Sequence, residues 1–112
     1  MDQVDQDNIR AAARSNFEQA AANRNADLAA TSTPEQAKAV MDNHDAALAT
    51  YLHAIRTSLE ANNEAWRGLL TQAEDAADNL NEARGHAVGV TATISALGRA
   101  TDSVALLVSA VT

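Results

Sequence analysis

The 112-residue chain contains no cysteine, a single proline, four glycines and three aromatic residues, Phe17, Tyr51 and Trp66. The lack of cysteine excludes disulfides, thiolate catalysis and zinc–sulfur sites together. Basic residues are also scarce, eight Lys and Arg against fifteen Asp and Glu, for a net charge of −7. No cluster of them exists to release counterions from a phosphate backbone, so no nucleic-acid partner is expected, and anionic membranes are disfavoured. No stretch of about 20 uninterrupted apolar residues occurs, so no membrane span is expected. The acidic opening, Asp2-Gln3-Val4-Asp5-Gln6-Asp7, offers no apolar run for a cleaved secretory signal. That predicts a cytoplasmic protein, or one exported without a cleaved signal peptide.

Catalytic signatures are missing as well. There is no Gly-rich phosphate loop, no nucleophile elbow and no Ser/His/Asp arrangement, so neither an enzyme nor a cofactor is expected. Glu74, Asp78, Glu82 and His86 do fall at four-residue steps, a carboxylate stripe ending in imidazole. Helical di-metal sites use Glu-x-x-His pairs on two helices. Here Glu82 and His86 are four apart and no second pair exists, so the stripe reads first as a solvated acidic face, with a metal-binding helical bundle as the lesser alternative.

What the chain has in plenty is alanine. Alanine supplies 27 residues, whereas Leu, Ile, Val and Phe together supply 21. Alanine is the best helix former, and its small side chain lets helices approach closely while contributing little apolar area. The reading is an all-α protein in one domain, an antiparallel bundle of three or four helices with thin interfaces.

A first helix over about 7–30 follows from Ile9, Ala13, Phe17, Ala20 and Leu28 at three- to four-residue steps. Thr33-Pro34-Glu35-Gln36 is the clearest punctuation, with a hydroxyl N-cap, proline in the first helical position and glutamine at the third. From Pro34 a stripe runs through Val40, His44, Leu48 and Leu52 to Leu59, Trp66 and Leu80. Two endings fit it. Gly85 after Arg84 gives one helix over 34–84, about 75 Å long at 1.5 Å per residue. Alternatively the chain breaks near Gly68, giving helices over 34–66 and 69–84. A last helix covers about 87–111.

That last segment stands apart. Residues 34–84 hold nine acids and four Lys or Arg, whereas residues 85–112 hold only Arg99 and Asp102. A surface helix normally keeps a charged face. The segment therefore reads either as the central helix of the bundle or as an intermolecular surface. In the second case Val90, Ile94, Leu97, Val104 and Val108 form the interface, helped by the small residues Gly85, Gly89, Ala92, Ala96 and Ala100. The function expected is a non-enzymatic interaction or assembly protein, a homo-oligomer or a module docking on a helical partner.

Trp66-Arg67-Gly68 resembles the Trp-x-Gly signature of the WXG100 (type VII secretion) family of small acidic helical hairpins. The resemblance implies a secreted bacterial protein that dimerises, with Trp66 and Gly68 marking the turn between two helices. The chain departs from that pattern in an additional first helix. Its only tyrosine, Tyr51, is also far from the C-terminus, where the family carries its export signal.

Overall fold

The structure, a computed structural model, describes residues 2–60, 65–85 and 89–112. Four helices make up nearly all of it: α1 (Gln3–Ala30), α2 (Pro34–Arg56), α3 (Ala65–Gly85) and α4 (Val90–Val111). The expected all-α bundle is present, and no strand occurs among the described residues.

α1 and α2 begin where the sequence supplies a partner for the free N–H groups. Asp2 accepts from the Asp5 amide at 2.8 Å and carries α1 four residues further towards the N-terminus than periodicity alone places it. Thr33 Oγ1 accepts from the Gln36 amide at 3.1 Å, and the Gln36 side chain reaches back to accept from the Ser32 amide at 2.8 Å. This is a variant of the capping box expected at Thr33-Pro34, in which Gln36 reaches Ser32, one residue before the N-cap. At α4 the cap is Gly89, whose φ of +99° is a conformation that a side chain disfavours. The helix accordingly starts at Val90 and not at residue 87.

Neither expected ending of the second helix is the one formed. A helix over 34–84 would be about 75 Å long, and the molecule measures 44 × 24 × 18 Å. α2 stops at Arg56, where Arg10 from α1 takes over its last carbonyls. Arg10 Nε donates to Ala54 O at 3.0 Å and Nη2 to Thr57 O at 3.3 Å. A guanidinium at a helix C-terminus satisfies orphan carbonyls and opposes the negative end of the dipole. Leu59 then turns into the core, and the Glu60 amide donates to Val111 O at 2.6 Å, tying the connection to the end of α4. Gly68 is no break at all. It sits in the first turn of α3, exposed, with open space where a Cβ would be.

α1 runs antiparallel to α2, and α3 antiparallel to α4, each pair packing along its length. α2 and α3, although consecutive, do not pack against each other among the described residues. The chain crosses the end of the bundle diagonally between them, so the order round the bundle is α1, α2, α4, α3. α4 contacts all three other helices, which makes it the central element.

The core has two halves. One joins Ile9, Leu59, Trp66, Val104, Leu107, Val108 and their neighbours. The other is built of Ala20, Ala47, Leu80, Ala96, Leu97 and Ala100. Between them lies a buried polar contact, Asn16 Nδ2 donating to Thr101 Oγ1 at 3.5 Å.

Candidate interaction surface

The five residues expected to form an interface part company in the structure. Leu97, Val104 and Val108 are buried against the chain's own helices, at 2%, 3% and 1% exposure. They pack in the core of the bundle and leave little of their own surface for a partner. The physical reason is that α4, with almost no charged face, loses least by being covered on several sides at once. Val90 and Ile94, in contrast, are only half-buried.

These two residues line an open cleft of about 400 Å³ at the alanine-built end of the bundle. Its walls come from Ala26 and Ala30 of α1, Val40 of α2, Ala83 of α3 and Leu97 of α4. The cleft exists because alanines stand where larger side chains would close the gap between helix ends.

One ion pair crosses the cleft wall. Arg84 Nη2 donates to Asp27 Oδ2 at 2.7 Å, with side-chain exposures of 15% and 11%. Arg84 Nε and Nη1 are shut off from solvent and have no hydrogen-bond partner among the described residues. A buried donor without a partner costs about 1–3 kcal/mol, so this end of the bundle carries a local penalty. The remaining described Lys and Arg pairs are superficial. Glu18, chiefly by its hydrogen bond, raises the pKa of Arg14, and Asp42 does the same for Lys38. All four side chains are well exposed, where such pairs stabilise little.

The stripe of small residues does not act as one surface. Ala96 and Ala100 are buried inside the alanine half of the core, whereas Ala92 is exposed. Glu74, Asp78 and Glu82 lie along the outside of α3 as a solvated face, and His86 lies outside the described residues. No group of three potential metal ligands occurs among the described residues. His44 packs against Phe17, ring centroids 5.7 Å apart, and Phe17 stacks in turn on Tyr51 at 6.0 Å.

Trp66 is buried in the large-side-chain half of the core, with the Arg67 guanidinium 5.3 Å from its ring centre. The turn that the WXG100 resemblance implies at Gly68 is not formed, and the helices on either side of the motif, α2 and α3, do not pack as a hairpin.

α4 departs from expectation in another respect. By length and composition it is apolar enough to cross a membrane, the one such helix among the described residues. Arg99 and Asp102 interrupt its apolar run. In the bundle 44% of that stretch is buried by the other helices.

Sequence reasoning missed the pairs that cross the bundle: Arg84 with Asp27, Arg10 with the end of α2, and Asn16 with Thr101. These partners lie 57, 44 and 85 residues apart, and no local spacing announces them. Compared with known protein families, curated proteins and solved structures, the chain matches none.

Proposed function

We propose that the chain is a non-enzymatic helical assembly protein that self-associates through the cleft along the N-terminal half of α4. The observation that carries this reading is the half-buried pair Val90 and Ile94 on an open apolar cleft. They belong to the most apolar helix and are only partly covered by the other three. A second copy is the occupant favoured by charge. The chain carries −7 overall, and the cleft contains only the internally neutralised Arg84–Asp27 pair, so two copies meet there with the least repulsion. Burial of the cleft on association would contribute roughly 25 cal/mol per Å² before the entropic cost of association.

The test is solution mass by light scattering on a sizing column across a hundredfold range of concentration. The reading expects a dimer or larger species that Val90→Asp with Ile94→Asp reduces to monomer, with the helical circular dichroism retained. A strict monomer throughout, or an assembly indifferent to both substitutions, would sink it.

A further inference from the structure

The bundle is closed on three sides and open on the fourth. α1 meets α3 only sparsely, and between them runs a seam of about 530 Å³, separate from the cleft at the alanine end. Its walls include the small side chains Ala12 and Ser15 from α1 and Ala77 from α3, beside the larger Asn8, Leu70 and Asn81, and its floor includes Val104 of α4. Two carboxylates, Glu74 and Asp78, stand one helical turn apart on the α3 side. Neither has an ion-pair partner among the described residues.

The seam also reaches a buried polar group with unused capacity. Asn16 lines it at 6% exposure. Among the described residues its carboxamide makes a single hydrogen bond, the 3.5 Å contact with Thr101 Oγ1. A carboxamide can donate two hydrogen bonds and accept two. One long bond leaves the rest of that capacity to solvent or to a group entering the groove.

We infer that the α1–α3 seam is a docking site for a cationic amphipathic helix of another protein. Small walls allow close approach of a helix backbone. Lysine or arginine stems are suited to lie across the alanines while their charged ends reach Glu74 and Asp78. Cationic residues four apart on the incoming helix match the four-residue step of the two carboxylates. A polar side chain between them reaches Asn16. A second copy does not fit this description, because the chain is acidic and two of its basic residues, Arg14 and Lys38, are already paired on its own surface. The site is independent of self-association, since the seam and the cleft share no lining residue.

The probe is an alanine-based peptide of about 20 residues, long enough to form a helix in water, with lysine at every fourth position. Its counterpart carries glutamate at the same places. Binding to the full chain is followed by fluorescence anisotropy at low ionic strength. The lysine peptide binds and the glutamate peptide does not. Glu74→Lys with Asp78→Lys weakens binding about tenfold or more. Ala77→Phe, which fills the groove without altering charge, weakens it as well. Asp75→Lys, on the neighbouring exposed face of the same helix, has a smaller effect than the Glu74/Asp78 pair. Circular dichroism and unfolding midpoints confirm that each variant is folded. The proposal is overturned if the lysine peptide fails to bind. Equal weakening by Asp75→Lys and by the seam variants, or indifference to Ala77→Phe, also overturns it, because binding is then a general property of an acidic surface.

Discussion

The two ends of this bundle solve the same packing problem with different materials. At one end Ile9, Leu59, Trp66 and Leu107 interdigitate, and the connection from α2 is bonded to the last turn of α4 through Glu60 and Val111. At the other, Ala20, Ala47, Ala96 and Ala100 bring the helices together with few apolar atoms, and an open cleft and an incompletely satisfied arginine remain. Close approach of backbones does not by itself fill a core. The end rich in large residues contributes stability and keeps Val4, Ile55 and Leu106 exposed on its outer face, whereas the alanine end keeps an open cleft between helices.

That contrast is open to test, and the largest effect is expected at the filled end. Leu107, with no exposure, should lose about 3 kcal/mol on replacement by alanine, the usual range for a buried leucine. A shift of the urea midpoint with an unchanged slope would measure it, and a loss below about 1 kcal/mol would mean that this end is looser than its contacts indicate.

At the alanine end, Arg84→Ala leaves Asp27 buried beside apolar walls and should cost about 2 kcal/mol, less than a fully buried pair because both side chains keep some exposure. Replacing both at once, Arg84→Met with Asp27→Leu, should restore most of that stability, since the orphaned donors disappear with the pair. If the double variant is as unstable as the single one, the ion pair itself is holding this end together.

Arg10→Ala removes the cap on α2 and should cost about 1 kcal/mol. Hydrogen exchange is the sharper readout, because faster exchange confined to the last turn of α2 separates a lost cap from general destabilisation. The smallest effect carries the opposite sign. Ala83→Leu fills part of the cleft and should add about 0.5 kcal/mol while weakening self-association. Stabilisation without any change in solution mass would dissociate the cleft from assembly.

The sequence disclosed this structure unevenly, and for identifiable reasons. The start of α2 was legible because Thr33, Pro34 and Gln36 act on one another within a single turn. Its end was not, because the residue that stops it, Arg10, lies 44 positions away from Ala54. The helical stripes were legible from Ile9, Val40 and Val104, which lie on buried faces as their spacing indicates. What covers those stripes was not. Ala47 and Ala49 are the same residue two positions apart, one buried and the other exposed, and alanine is at home in either setting. The apolar character of α4 was equally plain, but its division into core residues at Leu97, Val104 and Val108 and cleft residues at Val90 and Ile94 depends on where the other three helices end.

The diagonal crossing from α2 to α3 makes the molecule two covalent hairpins, α1–α2 and α3–α4, each packed on itself through a short connection. Every contact between the hairpins is made across space and none by neighbours in the chain. The first hairpin of one copy can therefore dock on the second hairpin of another using the contacts already found within a single copy. Exchange of halves is the low-cost route to a dimer in such a topology.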